Sequence, residues 1–151
     1  MRITFPSGPV PRHWREIAEL KVAEGRRVDA RIPRWLLDSP VSRVGYWWGT
    51  ALGWLWGGLW SRGRVERRGG LLVFQGMPRG TFPRGGVCVG GCFLTGRRPS
   101  DRVLRHEAVH VRQWRRYGIL MPVLYLLAGR DPLRNRFEIE AGLEDGGYVS
   151  G

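Results

Sequence analysis

The sequence predicts a small α+β domain in which a short β-sheet accompanies two functional helices. Leu71–Phe74 and residues 87–94 are short apolar or β-branched runs broken by Gly pairs, which is typical of two or three strands. Residues 100–117 are amphipathic with helical spacing, and Gly118 follows as a stop signal. Gly makes up 23 of the 151 residues, roughly twice ordinary usage, which disfavours long uninterrupted helices throughout.

The length corresponds to one ordinary domain, which we divide into three segments. These are a partly helical extension over residues 1–43, an apolar Trp/Gly-rich segment over 44–60, and a C-terminal domain over 61–151 that contains the predicted strands. Two cysteines exclude a disulfide-dense secreted scaffold and a four-Cys zinc module. No amino-terminal secretory pattern is present, so we expect a cytoplasmic protein, with membrane association as the alternative.

The net charge of +12 is concentrated in the middle of the chain. Residues 61–118 carry thirteen Arg against three acidic residues. Such a field suits an anionic partner, either lipid headgroups or nucleic acid. A solvated arginine-rich face explains the same charge, and no recognised RNA-binding module supports the nucleic-acid interpretation.

Residues 44–60 form the most unusual stretch, with no charged residue and five of the eight tryptophans. Three interpretations stay open: a membrane-interface or re-entrant segment, a buried hairpin of the core, and a true span. The length is at the lower limit for spanning. Trp favours the headgroup region, and Gly weakens a helix.

Two further helices and a pair of thiols complete the prediction. We expect a short helix over residues 12–27 and a last helix over 134–145, ended by two glycines. Cys88 and Cys92 would lie about 13 Å apart along one strand. They are therefore expected to be buried free thiols unless the intervening Gly pair turns the chain.

The motif H-E-x-x-H occurs at residues 106–110, inside the predicted helix. Residues four apart share one helix face, so His106 and His110 can bind one metal ion. Glu107 then stands beside that ion, where it can take a proton from an activated water.

A catalytic zinc ion (Zn²⁺) needs a third protein ligand, and no later His or Cys exists. Glu138 and Glu140 on the last helix are the candidates. Glu138 is preferred because it flanks the face that Phe137 and Ala141 share, and Glu140 is the alternative. Glu138 has a competing structural role, because Asn135 and Glu138 have the spacing of a capping box.

HEAVH followed 28 residues later by Glu138 in E-x-E-A resembles the gluzincin zinc peptidases, especially minimal members and HtpX-like membrane proteases. LRHEAVHVRQW after a Gly-rich strand pair is similar to small bacterial proteins of this type. The resemblance covers roughly residues 71–148 and implies a zincin-like fold, with Glu138 as third ligand. The family pattern E-x-x-A-D departs here, because Gly142 stands where Asp usually orients a metal-bound histidine.

The resemblance also implies a peptidase mechanism acting on peptide or protein substrates. Zinc on His106, His110 and Glu138 would activate water, with Glu107 as general base. Tyr148 and Tyr117 are candidate donors to the oxyanion, and neither is preferred.

Two other classes of function compete with a peptidase. One is a non-enzymatic basic protein that retains the peptidase-like shell and binds a membrane surface or nucleic acid such as ribosomal RNA. The other is a membrane-peripheral structural subunit for which residues 44–60 are the essential part.

Overall fold

The structure, a computed structural model, describes residues 10–149 and has an α+β architecture. Five α-helices and four strands are formed, in the order α1 Trp14–Asp29, α2 Pro40–Ser61, β1 Val65–Arg68, β2 Leu71–Phe74, β3 Val87–Val89, β4 Cys92–Leu94, α3 Asp101–Tyr117, α4 Leu120–Leu127 and α5 Arg136–Ala141. A short 3-10 turn, Arg34–Leu36, lies between α1 and α2. The predicted class is therefore confirmed, while the three-part division of the chain stays a prediction.

The sheet has the order β1-β2-β4-β3, with a parallel central pair and antiparallel outer pairs. Strand β1 was not predicted because its sequence, VERR, is charged and largely exposed. Gly90 has φ +59° in the turn between β3 and β4, so the Gly pair does reverse the chain. Cys88 then lies opposite Phe93 and Cys92 opposite Val89, and both thiols are free.

Residues 44–60 lie within one continuous helix, α2, so the hairpin interpretation is wrong. Ser39 and Ser42 form a capping box around Pro40, and the helix ends at Arg62 in the left-handed conformation. Four of its five glycines, at positions 45, 49, 53 and 57, recur at every fourth position and therefore form one helix face instead of a turn. None of the helices within residues 10–149 is long and apolar enough to cross a membrane.

Helix α3 lies at the centre of the packing. Its residues Val111 and Trp114 join Val73 and Phe93 of the sheet and Phe137 of α5 in the main core. Ser100 caps its start by accepting a hydrogen bond from the backbone N–H of residue 103, and Gly118 ends it, as predicted. Helices α3 and α5 are thereby held against the same apolar core.

Helix α5 is shorter than the helix predicted over residues 134–145. It ends at Ala141 because Gly142 has φ +98°, outside the helical region. The chain then continues in turns through residues 143–149. This early end directs the following residues back toward α3, where the candidate site lies.

Candidate metal centre

Helix α3 places two histidines on one buried face. His106 and His110 are one turn apart, and their rings meet edge to face with centroids 4.8 Å apart. Their Nε2 atoms are separated by 3.1 Å. The spacing argument from the sequence therefore holds in three dimensions.

Helix α5 brings the carboxylate of Glu138 to this pair. Glu138 Oε2 lies 3.0 Å from His106 Nε2 and 3.6 Å from His110 Nε2, and all three side chains are buried. In the part of the chain that the structure describes, this is the one group of three metal-ligating side chains with ligand atoms within 4.8 Å of one another.

The capping-box role of Glu138 is contradicted. Asn135 does cap α5, because its side-chain oxygen accepts from the backbone N–H of Phe137 at 3.0 Å. The backbone N–H of Asn135 itself donates to the carbonyl oxygen of Asp131 at 2.8 Å, so Glu138 has no such donor to reach back to. Its carboxylate is free to face the histidines.

Glu140, the alternative ligand, lies elsewhere. It is exposed, and its Oε2 accepts a long hydrogen bond of 3.4 Å from Gln113 Nε2. It does not belong to the group of three converging side chains. A cavity of about 360 Å³ is lined by Gln113 and Glu140 and by neither histidine, so it lies beside the candidate centre without including it.

Acceptors on the far side of each ring orient the two imidazoles. His106 Nδ1 lies 2.9 Å from the carbonyl oxygen of Gly142, and His110 Nδ1 lies 2.7 Å from Gln113 Oε1. The amide of Gln113 is oriented by its Nε2, which donates to the carbonyl oxygen of Phe137 at 3.0 Å. A carbonyl oxygen can only accept, so each Nδ1 carries a hydrogen, and each Nε2 is the nitrogen that faces Glu138.

The Gly142 contact explains a departure from the resemblance. The Asp usual at that position is missing, yet the backbone carbonyl of Gly142 orients His106 in its place. Nearby, a Cβ on Gly146 would lie 2.7 Å from His106 Cε1. The turns after α5 are therefore fitted closely around the first histidine.

The arrangement of the three inward atoms fits a small divalent cation. Two Nε2 atoms and one carboxylate oxygen meet with separations of 3.0, 3.1 and 3.6 Å. A tetrahedral zinc ion with Zn–N and Zn–O bonds of 2.0–2.1 Å needs ligand atoms about 3.3 Å apart. The observed separations bracket that value.

The electrostatics of the cluster also favour positive charge. Burial raises the pKa of Glu138, but hydrogen bonds from His106 and His110 outweigh this and hold the pKa well below its usual value. Burial lowers the pKa of His110, but the hydrogen bond and charge of Glu138 and the charge of Glu107 raise it overall to about 9. The carboxylate is thus ionised in the interior, where a cation stabilises it.

Tyr125 is a site residue that the sequence analysis missed. Its hydroxyl donates a short hydrogen bond to Glu138 Oε1, which leaves Oε2 for the histidines. Burial, reinforced by Glu138, raises the pKa of Tyr125, so the phenol stays a donor. The available signal was that Tyr125 carries the one polar side chain in the apolar run of residues 119–128.

Glu107 lies beside the cluster as a buried carboxyl group. Within residues 10–149, its Oε2 has no hydrogen-bond partner. Burial raises its pKa, and the charges of His110 and His106 oppose the rise. An unpartnered buried carboxyl is costly, so it is notable next to three converging ligand atoms.

The two tyrosines considered as oxyanion donors have different positions. The Tyr148 ring lies 5.9 Å from His106, and burial together with the charge of Glu138 raises its pKa. Tyr117 instead donates to Asp29 Oδ2 at 2.6 Å, in a network that joins α1 and α3. Tyr148 is therefore near the candidate centre and Tyr117 belongs to a structural contact.

Comparison with known proteins adds no relative to this picture: no family model, curated protein or solved structure matches the chain.

Proposed function

We propose that the chain is a zinc-dependent peptidase of the gluzincin type with a zincin-like fold. The observation that carries this proposal is the convergence of His106 Nε2, His110 Nε2 and Glu138 Oε2 beside the buried, unpartnered carboxyl of Glu107. A zinc ion held by the three ligands would supply a Lewis acid that lowers the pKa of water and polarises a peptide carbonyl.

The residues around that centre have complementary tasks. Glu107 Oε2, free of other partners, would accept the proton of the attacking water and pass it to the leaving amine. Gly142 and Gln113 orient the two imidazoles, and Tyr125 orients Glu138. Each ligand thus has a second contact that holds it ready for the metal.

The number of ligands supports a catalytic centre over a purely structural one. Structural zinc sites are usually closed by four protein ligands, whereas catalytic sites use three and keep one position open. Among the described residues, three side chains converge here. Burying the Glu107 carboxyl without a partner also costs stability, and a non-enzymatic protein would have no use for that carboxyl.

The test combines metal content with hydrolysis by the full chain. We expect one zinc per chain, lost in His110→Ala and in Glu138→Gln. Matched controls are His13→Ala and Glu140→Gln, which remove the third histidine and the neighbouring carboxylate and should keep the metal. Glu107→Gln should retain zinc but abolish cleavage of unfolded protein substrates such as casein.

Two results would contradict the proposal. If wild type binds no zinc, or if His13→Ala and His110→Ala lose it equally, the metal centre is wrong. If Glu107→Gln cleaves as well as wild type, any hydrolysis has another origin. Retained zinc with no hydrolysis by wild type would favour the non-enzymatic alternative.

A further inference from the structure

Helix α2 has its large apolar side chains on the outside. The residues that it buries are small with one exception, namely Ser42, Gly45, Tyr46, Gly49, Gly53, Gly57 and Ser61. A helix packed on a protein core normally buries its large apolar residues and exposes small or polar ones. The pattern of α2 is therefore the reverse of an ordinary surface helix.

Close packing of the helix backbone explains the reversal. A Cβ on Gly49 would lie 2.7 Å from the Trp114 ring, and a Cβ on Gly57 would lie 2.5 Å from the Phe74 ring. A Cβ on Gly45 would lie 2.4 Å from the backbone nitrogen of Ile119. No larger side chain fits at these three positions, so the large residues of α2 other than Tyr46 lie on its outer face.

The outer face of α2 is broad and uninterrupted by charge after its first turn. Its exposed large residues are Val41, Val44, Trp47, Trp48, Leu52, Trp54, Leu55, Trp56, Leu59 and Trp60. We call these ten residues the outer face. Contiguous exposed apolar surface of this kind is rare on monomers and normally contacts a partner or a membrane.

A second helix of the same domain also exposes large apolar side chains. Helix α4 begins against the start of α2, where Gly45 meets Ile119. It exposes Ile119, Val123, Leu126 and Leu127. Two neighbouring helices of the same domain therefore leave large aliphatic side chains in contact with water.

The polar groups of the outer face match the headgroup region of a bilayer. In residues 10–149, the indole N–H groups of Trp47, Trp48, Trp54 and Trp60 donate no hydrogen bond, whereas Trp56 donates to Thr81 O at 2.8 Å. Trp side chains prefer the interface because the ring is apolar and the N–H needs an acceptor. Lipid ester and phosphate oxygens supply such acceptors.

The positive charge at both ends of α2 favours anionic lipid over neutral lipid. Arg43 lies in the first turn, and Arg62, Arg64 and Arg67 follow the last. All four are exposed, and none forms an ion pair with another described residue. Unpaired guanidinium groups beside an apolar face bind phosphates, and each contributes to attraction by anionic lipids.

From these observations we propose that the outer face of α2 is a docking surface for an anionic lipid bilayer, on which the helix lies in the plane of the interface. The Trp and Leu side chains enter the boundary between headgroups and acyl chains, and the flanking arginines contact lipid phosphates. This proposal is independent of the metal centre and of peptidase activity.

The test measures binding of the full chain to vesicles by flotation. The probes are vesicles of phosphatidylcholine mixed with phosphatidylglycerol and vesicles of phosphatidylcholine alone. We expect stronger binding to the anionic vesicles, weakened by added salt. Equal binding to both kinds of vesicle would contradict the proposed preference for anionic lipid.

A pair of matched double variants distinguishes binding through the outer face from nonspecific hydrophobic adsorption. Trp48→Gln with Leu55→Gln alters the outer face, where these residues are 59% and 65% exposed. Trp35→Gln with Leu20→Gln removes the same residue types, 63% and 65% exposed, outside α2. We expect the first pair to weaken vesicle binding at least about tenfold and the second to leave it unchanged.

Two results would overturn the proposal. Absence of vesicle binding by wild type is one, and equal effects of the two double variants is the other. Sedimentation of wild type as a dimer that Trp48→Gln with Leu55→Gln converts to a monomer, without vesicle binding, would assign the face to a second copy of the chain instead. Circular dichroism should show both variants folded, because neither removes a buried side chain.

Discussion

His106 is oriented by the backbone of Gly142, whose carbonyl oxygen lies 2.9 Å from the ring Nδ1. Gly142 holds φ +98° at the end of α5, a conformation that side-chain-bearing residues adopt at a cost. The residue that ends α5 therefore also orients the first histidine. A glycine can fill a position where the related motif uses a carboxylate, because the backbone supplies the acceptor.

Gly142→Ala should destabilise the protein and weaken metal binding together. Forcing a Cβ into this backbone conformation costs about 1–3 kcal/mol, and displacement of the carbonyl should lower zinc affinity about 10–100-fold. Urea unfolding and a competitive zinc titration measure the two effects. Gly80→Ala is the control, because Gly80 has φ +92° with no atom near its Cβ position and lies in a loop outside the centre. If both variants bind zinc as wild type does, the carbonyl has no orienting role.

Gln113→Leu should likewise lower both the stability of the protein and its zinc affinity, here through His110. The amide of Gln113 accepts from His110 Nδ1 and donates to the carbonyl of Phe137. Leu leaves both groups buried and unpaired, at a cost of about 1–3 kcal/mol, and we expect zinc affinity to fall about 10–100-fold. Arg112→Leu, at the exposed neighbouring position, should change neither quantity. Unchanged zinc affinity in Gln113→Leu would mean that His110 needs no such partner.

Local patterns in the sequence predicted the elements that carry the site. The H-E-x-x-H spacing and the stop at Gly118 predicted α3. Glu138 was favoured over Glu140 because it lies beside the helix face that contains Phe137. The structure places Glu138 with the histidines. Such predictions succeed because helix periodicity and end signals depend on residues within a few positions. That these residues bind zinc stays a proposal.

Long-range relationships could not be predicted from local patterns. Strand β1 is held by pairing with β2, although its charged sequence gives no apolar alternation. Tyr125 joins the site through a contact 13 residues away in sequence, and the amide of Gln113 is oriented by a contact 24 residues away. For α2, composition indicated an unusual segment, but the packing of its glycine face against α3 and the sheet excluded the hairpin.

Adjacent glycines in α2 should respond oppositely to the same substitution. Gly57→Ala would place a Cβ 2.5 Å from the buried Phe74 ring, so we expect a loss of about 1–3 kcal/mol from overpacking. Gly58→Ala meets no atom within 4 Å and should stabilise the helix by about 0.5–1 kcal/mol. Thermal and urea unfolding of the two variants measure the difference. Equal effects would contradict the close approach of α2 to the sheet.

A buried network between α1, α3 and α5 should make stability fall at alkaline pH. Asp29 accepts hydrogen bonds from the Tyr117 hydroxyl at 2.6 Å and from Arg136 at 2.8 Å. Burial, with the hydrogen bond to Asp29, raises the pKa of Tyr117 from 10.0 to about 12. The folded state holds the Tyr117 proton more tightly than the unfolded state does. The stability that this hydroxyl contributes is therefore complete below pH 10 and is lost as the pH rises through 12.

Tyr117→Phe isolates that contribution from other groups that ionise at high pH. Burial also raises the pKa of the Cys92 thiol to about 11, so part of the alkaline decline in wild type belongs to Cys92. The variant should therefore be less stable than wild type near neutral pH, by about 0.5–1.5 kcal/mol for the lost hydrogen bond. Its free energy of unfolding in urea should then decline less steeply than that of wild type above pH 10. Parallel declines in the two proteins would show that the Tyr117 proton is not held by this network.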